Sequence, residues 1–226
     1  MSSKELNKNL RIKTVLLGET GVGKSCIIFR YINDIFSLNH VSTILSTYSS
    51  KAMKINNKEI TFDLWDTAGQ EKFRSIAKIN YKDAAVIILV LDITNNLSFQ
   101  SIKDYWYPQV KQNAPENAVI AIAVAKFDLK DKQEVDLDEV ENYASSIDAL
   151  FKITSSLDNT GINELFEEIG KKILSVDNFL GTIIERTPTK LSNKIDEDSN
   201  DLNSNNTMEN KKNDKKNMKK KKDRCC

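Results

Sequence analysis

The 226-residue sequence contains only three cysteines, three prolines, seven glycines and one histidine. The cysteines, Cys26, Cys225 and Cys226, lack the spacing of a metal site, and Cys26 has no evident disulfide partner. This cysteine usage predicts a reducing, cytosolic compartment. No apolar run approaches the ~18 residues that a membrane-spanning helix requires, and the polar N-terminus differs from a signal peptide. The sequence therefore argues against a disulfide-stabilised secreted protein and against an integral membrane protein.

Charges of both signs are nearly balanced over the whole chain but unevenly distributed. Lys and Arg number 33 against 32 Asp and Glu, a net charge of +1. Residues 211–224 hold nine basic and two acidic residues, a net charge of +7, so the residues before them sum to −6. From Pro188 onward, Asn, Ser, Asp and Lys dominate, and such a segment buries too little apolar area to offset its ordering entropy. We predict an N-terminal extension at 1–10, one folded domain at 11–176 and a disordered tail at 177–224, basic at 211–224.

Short, β-branched-rich apolar segments alternate with amphipathic ones along the predicted domain. The apolar segments suit strands buried on both faces of a parallel sheet: residues 15–17, 60–65, 85–91, 118–124 and 150–154. The amphipathic segments have apolar residues at helical spacing: residues 25–36, 98–110, 135–145 and 161–174. Residues 48–55 and 59–65 flank Asn56-Asn57-Lys58, which indicates a hairpin and hence one antiparallel pair at the sheet edge. The pattern predicts a three-layer α/β fold.

The segment Gly18-Glu19-Thr20-Gly21-Val22-Gly23-Lys24-Ser25 fits the phosphate-loop pattern G-x-x-x-x-G-K-S. It follows a predicted strand and opens a predicted helix, as phosphate binding by backbone N–H groups and a helix N-terminus requires. Lys24 is expected to reach the β- and γ-phosphates, and the Ser25 hydroxyl to bind Mg²⁺. A chance glycine-rich turn is the alternative, which the strand-loop-helix setting disfavours.

A second motif, Asp66-Thr67-Ala68-Gly69-Gln70-Glu71, ends the predicted strand 60–65. Ligands of open α/β sheets bind at the carboxyl ends of the strands, so we expect Asp66 at the Mg²⁺ site. The N–H of Gly69 is expected at a γ-phosphate, and Gln70 is expected to orient the attacking water. A D-x-x-G pattern alone would usually be a turn, but the six-residue run beside a phosphate loop favours nucleotide hydrolysis.

Together these two motifs resemble the Ras superfamily of small GTPases. Residues 65–76 and 91–95, with the terminal Cys-Cys pair, are similar to the Rab branch, and residues 93–99 and 114–123 look most like its endosomal group. The resemblance covers residues 10–174. It implies a small G domain with a six-stranded mixed sheet, five strands parallel and one antiparallel at the edge, flanked by about five helices, in a monomer.

The resemblance also implies roles for single residues. Gln70, Thr43 and Lys24 would be catalytic, and Ser25, Thr43 and Asp66 would serve Mg²⁺, with Thr43 engaged only in the GTP state. Asp128 would accept two hydrogen bonds from guanine, Lys126 would lie along the base, and the Ser156 backbone would face the guanine oxygen. Phe36 would stack edge-on against the base; a core aromatic ending the first helix is the alternative. The implied nucleotide contacts are Gly18, Glu19, Thr20, Gly21, Val22, Gly23, Lys24, Ser25, Cys26, Phe36, Thr43, Gly69, Ala125, Lys126, Asp128, Ser155 and Ser156.

Three positions depart from the family pattern. Ala125 replaces an asparagine that hydrogen-bonds the base and ties the base loop to the phosphate loop, so we expect faster nucleotide exchange and a guanine selectivity that rests on Asp128. Leu45 replaces a glycine in the effector-facing stretch, so specific partners cannot be transferred. Leu157 replaces a lysine of the last base loop, with a smaller expected effect.

The Lys-rich tail alone would suit a solvated or nucleic-acid-binding arm. The terminal Cys225 and Cys226 instead resemble a Rab-type prenylation site. Two lipid chains beside a basic stretch predict a membrane anchor and no nucleic-acid partner.

The resemblance predicts a GTP/GDP switch that hydrolyses GTP slowly and recruits vesicle-trafficking effectors. Its partners would be an exchange factor, an activating protein, effectors, and Rab-type escort and extraction proteins. It would act on the cytosolic face of endosomal, Golgi or vesicle membranes, with a soluble pool. One alternative is a guanine-nucleotide-binding scaffold with weak or no hydrolysis, suggested by Ala125 and Leu45. Another is a different P-loop enzyme, such as a nucleoside kinase.

Overall fold

The computed structural model describes residues 10–36, 46–67 and 79–175. Its centre is a six-stranded sheet in the order β2-β3-β1-β4-β5-β6. The strands are β1 (Leu10–Leu17), β2 (Thr47–Ile55), β3 (Lys58–Asp66), β4 (Val86–Asp92), β5 (Val119–Ala125) and β6 (Leu150–Ile153). All neighbours are parallel except the hairpin pair β2 and β3. This confirms the predicted sheet of five parallel strands with one antiparallel edge strand.

Besides a short helical stretch at residues 79–81, five α-helices flank the sheet in the described residues. They are α1 (Lys24–Asn33), α2 (Asn96–Ser101), α3 (Tyr107–Asn113), α4 (Leu137–Ser146) and α5 (Ile162–Ser175). A π-helical turn (Ile102–Trp106) joins α2 to α3, and a 3₁₀ helix (Phe127–Lys132) follows β5. None of the helices in the described ranges is long and apolar enough to cross a membrane.

Two apolar cores lie on opposite faces of the sheet, because successive strand residues point to opposite sides. One core packs Leu16 and Ile88 against residues of α1 and α5, including Phe166. The other packs Leu17 and Leu89 against α2, the π-helical turn and α4. Every residue of β4 is buried, which explains its unbroken apolar sequence.

The ends of several elements differ from the predictions. Strand β1 begins at Leu10, five residues before the predicted strand. The buried Leu10 and Ile12 belong to it, but Arg11 and Lys13 interrupt the apolar run from which the strand was predicted. Helix α1 ends at Asn33 instead of residue 36, because Asp34 adopts a left-handed conformation (φ 57°) and its N–H bonds Arg30. The predicted helix 98–110 begins earlier, at Asn96, where the Asn95 side chain accepts a hydrogen bond from the Leu97 N–H.

Candidate nucleotide-binding site

The glycine-rich segment forms the turn between β1 and α1. Gly18, Gly21 and Gly23 all have positive φ angles, of 146°, 78° and 105°. A Cβ at Gly18 would lie 2.3 Å from the Val90 carbonyl oxygen, so this position excludes any side chain. The Val22 side chain is buried in the core, so only its backbone can serve a ligand. A turn of this kind, built from backbone with little side chain in the way, suits phosphate binding.

Lys24, the first residue of α1, folds back into this turn. Its ammonium donates hydrogen bonds to the carbonyl oxygens of Gly18 (2.9 Å) and Glu19 (2.7 Å). Burial lowers the pKa of Lys24 to about 8, although the charges of Asp66 and Glu19 act to raise it. The structure therefore holds a buried ammonium inside the loop, where a bound phosphate would meet it.

Ser25 and Asp66 form the adjacent part of the site. The Ser25 hydroxyl donates to Asp66 Oδ2 at 2.6 Å, which joins the start of α1 to the end of β3. Asp66 is buried, and the next hydroxyl, Thr67 Oγ1, donates to the Leu16 carbonyl at 2.6 Å. One hydroxyl and one carboxylate suit Mg²⁺, which takes few protein oxygens and completes its shell with water and phosphate. The described residues contain no group of three or more His, Cys, Asp or Glu side chains that could hold a metal ion.

The residues predicted to recognise the base lie just beyond the ends of β5 and β6. The Ser155 hydroxyl donates to Asp128 Oδ1 at 2.8 Å. The Phe127 N–H bonds the Thr154 carbonyl at 3.1 Å, and the Thr154 N–H bonds the Val124 carbonyl at 2.7 Å. These bonds bring the two loops together with Asp128 exposed. Ser155 itself is fully buried, so its side chain orients Asp128.

Lys126 has a left-handed conformation (φ 63°) between the strand and the 3₁₀ helix. Its ammonium pairs with Asp92 Oδ2 at 2.8 Å, at the end of β4. The Thr94 N–H and hydroxyl donate to the other Asp92 oxygen, at 2.9 and 2.8 Å. With its charge held by Asp92, Lys126 has its aliphatic stem available for a base.

Ala125 lies beside the phosphate loop. An ideal Cβ at Gly23 would be 3.5 Å from the Ala125 Cβ, and Ala125 is buried. A longer polar side chain at position 125 would therefore reach the loop, whereas the methyl group makes no hydrogen bond to it. Position 125 is thus close enough to the phosphate loop for the asparagine of the family to hydrogen-bond it, but alanine has no group that could do so.

The remaining predicted site residues have mixed outcomes. Phe36 is half-buried and lies beyond the end of α1, so the alternative of a core aromatic ending that helix is wrong. Thr20 and Gly21 are exposed at the tip of the loop, and Cys26 is half-buried on α1. Thr43, Leu45, Gly69, Gln70, Cys225 and Cys226 lie outside the described residues.

The structure also reveals supporting residues that the motifs did not indicate. The Glu19 carboxylate accepts hydrogen bonds from Trp106 Nε1 (3.1 Å) and from the Ser101 hydroxyl, which anchors the phosphate loop to the π-helical turn and α2. Arg30 donates to the Ser156 and Leu157 carbonyls of the last base loop. No sequence pattern marks these pairs, because they join distant segments and two of the acceptors are backbone atoms.

Comparison with known proteins identifies the family. The Ras family model matches residues 13–175. Human (Homo sapiens) Ras-related protein Rab-22A is 43% identical over 166 residues, which cover 74% of this chain and 85% of that protein. Rat (Rattus norvegicus) Rab-31 is 42% identical with the same coverage. RABF2a of Arabidopsis thaliana is 37% identical over 185 residues, covering 80% of this chain and 92% of that protein. The chain therefore belongs to the Ras family and is a Rab-family small GTPase of the endosomal group.

Proposed function

We propose that this chain works as a GTP/GDP switch that binds guanine nucleotide with Mg²⁺, hydrolyses GTP to GDP and phosphate, and recruits effectors in vesicle trafficking in its GTP state. The observation that carries the proposal is the convergence of three groups at one sheet edge. The Lys24 ammonium lies in the glycine-rich turn after β1, the Ser25–Asp66 pair offers oxygen ligands at the end of β3, and the exposed Asp128 lies just past β5. All three follow the carboxyl ends of strands, where α/β folds bind ligands.

The phosphate end supplies charge stabilisation. The buried ammonium of Lys24 is worth more there than in water, because few solvent dipoles screen it. Bound Mg²⁺ would supply positive charge that offsets the negative charge of the phosphates. Ser25 and Asp66 are the residues that would hold it. We assign the positioning of the attacking water to Gln70, and contact with the γ-phosphate and Mg²⁺ to Thr43, on the basis of their sequence positions.

The base end supplies selectivity. Asp128 is exposed, and the hydrogen bond from Ser155 fixes the orientation of its carboxylate. A carboxylate accepts several hydrogen bonds and donates none, so it suits the ring N–H and amino group of guanine. We place the Ser156 backbone at the guanine oxygen and the Lys126 stem and Phe36 ring along the base.

We propose further that the switch acts as a monomer on the cytosolic face of endosomal, Golgi or vesicle membranes, with a soluble pool. Lipids on Cys225 and Cys226 and the basic residues 211–224 would hold it there. The proposed protein partners are of Rab type: exchange factors, activating proteins, effectors, and escort and extraction proteins. We propose no nucleic-acid partner.

A second candidate function is a nucleotide-binding scaffold without useful turnover. It starts from Ala125, whose methyl group beside Gly23 cannot make the hydrogen bonds of the family's asparagine; this departure concerns nucleotide binding, so a measurement of hydrolysis must decide between the two functions. The scaffold and the switch differ in hydrolysis, not in binding.

The test is single-turnover phosphate release from GTP with full-length protein, comparing wild type with Gln70→Leu. We expect Gln70→Leu to slow release by about tenfold or more, since water positioning governs this step. The matched control is Gln133→Leu, whose side chain only binds the Val135 carbonyl, and it should hydrolyse at the wild-type rate. Equal, negligible rates for wild type and Gln70→Leu would support the scaffold instead.

Base selectivity is tested with Asp128→Asn. An amide both donates and accepts, so this variant should lose affinity for GDP by about tenfold or more and gain affinity for xanthosine diphosphate, whose carbonyl replaces the guanine amino group. Asp131→Asn, in the same 3₁₀ helix, is the control and should leave both affinities unchanged. If wild-type protein retains no guanine nucleotide, the switch proposal fails.

A further inference from the structure

Arg30 links the phosphate-loop helix to the last base loop. It lies on α1, two turns beyond Lys24, and its guanidinium donates to two successive carbonyls of the loop after β6. The Nε–Ser156 O and Nη2–Leu157 O distances are both 2.6 Å. The third nitrogen, Nη1, donates to the Asp34 carbonyl at 3.0 Å, just past the end of α1.

A second hydrogen bond joins the same two segments. The Asn159 side-chain amide donates to Asp34 Oδ1 at 3.1 Å. Asp34 is itself fixed, because its left-handed backbone ends α1 with its N–H bonded to Arg30 O at 2.8 Å. The end of α1 and residues 156–159 are therefore held together on the side of the site remote from the phosphate loop.

This link lies where nucleotide binding needs a fixed spacing. In the proposed function, the phosphate loop and the base loops bind opposite ends of one ligand, so relative motion of these loops weakens nucleotide binding. Position 125 cannot supply this rigidity, because its methyl group faces Gly23 without a hydrogen bond. Arg30 and Asn159 supply direct hydrogen bonds from α1 to the base side instead.

We propose that Arg30 is a positioning residue that holds the Ser155–Leu157 loop against α1. With alanine at position 125, Arg30 fixes the spacing between the phosphate loop and the base loops, which an amide at position 125 would otherwise help to fix. The proposal rests on the proposed nucleotide binding. Arginine suits this role because its planar fork reaches two carbonyls at once with charged donors. A lysine at position 30 would keep the charge and reach at most one carbonyl in the same geometry.

The experiment is a double-mutant cycle on release of mant-GDP, a fluorescent GDP, from full-length protein with Mg²⁺ after a chase with excess GDP. The four proteins are wild type, Arg30→Ala, Ala125→Asn and the double variant. We expect Arg30→Ala to release mant-GDP about tenfold faster, and Ala125→Asn to release it more slowly than wild type. In the Ala125→Asn background, Arg30→Ala should accelerate release by a markedly smaller factor, because the amide would fix the loop after β5 to the phosphate loop, and the Ser155–Asp128 hydrogen bond joins that loop to the one that Arg30 holds.

An arginine that only stabilises the fold would change the release rate by the same factor whether position 125 is alanine or asparagine. Arg11→Ala is the matched control, since Arg11 also binds two partners, Asp63 and Tyr48, near the start of β1, away from the strand ends that form the site. It should release mant-GDP at the wild-type rate in both backgrounds. Arg30→Lys, which preserves folding if Arg30→Ala does not, should give an intermediate rate.

Two results would overturn the proposal. One is an Arg30→Ala or Arg30→Lys release rate equal to that of wild type. The other is an Arg30→Ala factor that is the same with Ala125 and with Asn at that position. Failure of the wild-type protein to bind any mant-GDP is a different outcome, and it would refute the proposed function itself.

Discussion

At the scale of single residues, the phosphate loop depends on glycine for two separable reasons. Gly18 and Gly21 both have positive φ angles, which cost energy for any residue with a Cβ. Only Gly18 also lacks space, since its Cβ would lie 2.3 Å from the Val90 carbonyl oxygen, whereas nothing lies within 4 Å at Gly21. A side chain at Gly21 would therefore meet backbone strain alone, whereas one at Gly18 would meet both backbone strain and a steric clash.

We predict that Gly21→Ala lowers the free energy of unfolding by about 1 kcal/mol, the strain of a left-handed conformation. Gly18→Ala should lower it by about 3 kcal/mol or more, because a clash with a buried strand carbonyl must be relieved by moving β1 away from β4. Urea unfolding of both variants, monitored by far-UV circular dichroism, checks this. Equal losses would contradict the steric explanation and leave only backbone strain.

At the scale of elements, the α2–α3 segment acts as a support for the phosphate loop. The π-helical turn between them carries Trp106, whose indole N–H reaches the Glu19 carboxylate at 3.1 Å. The Glu19 carbonyl in turn accepts from Lys24 at 2.7 Å. An extra residue in a helical turn shifts the direction of the side chains that follow it, and such turns frequently occur at functional sites.

We predict that Trp106→Phe lowers the free energy of unfolding by about 1–2 kcal/mol and accelerates GDP release. The phenyl ring keeps most of the buried bulk but removes the donor to Glu19, a charged acceptor. Urea unfolding and mant-GDP release measure the two effects. Trp65→Phe is the control, because that half-exposed ring packs beside Tyr48 and Lys13, and it should leave the release rate unchanged. A release rate for Trp106→Phe equal to that of wild type would contradict the supporting role.

The same elements show which features the sequence predicts and which it does not. The parallel sheet and its hairpin edge were predictable because buried strands, amphipathic helices and the Asn56-Asn57 turn leave local signals. The end of α1 was not, because nothing in the pattern marks Asp34 as left-handed. Motif spacing predicts most of the site residues, whereas it gives no signal for Arg30 and Trp106, because their partners are distant in sequence.

At the scale of the whole molecule, nucleotide binding and membrane attachment are predicted for parts of the chain with opposite net charge. Residues 1–210 carry a net charge of −6 and include all the residues predicted for the nucleotide site. Residues 211–224 carry +7 and precede Cys225 and Cys226. An acidic domain is repelled by anionic lipid, so the basic segment is the part of the chain that electrostatics would direct to a membrane.

We predict that replacing Lys219, Lys220, Lys221 and Lys222 with Gln weakens binding of the prenylated protein to phosphatidylserine vesicles. Each basic residue near an anionic surface contributes about 1 kcal/mol, so four replacements should reduce the partition coefficient by up to ~1000-fold at low salt. The reduction should shrink as salt is added, because ions screen exposed charges. Co-sedimentation with vesicles over a salt series measures it.

The control for this charge change places the same four neutral replacements on the folded domain, at the exposed Lys54, Lys58, Lys111 and Lys132. Both variants have the same net charge, so only the position of the positive charges differs between them. If the domain variant loses as much vesicle binding as the tail variant, net charge alone governs association and the basic segment has no special role.

Cys225→Ser with Cys226→Ser should remove binding that persists at high salt, because the apolar contribution of the lipid chains is not screened.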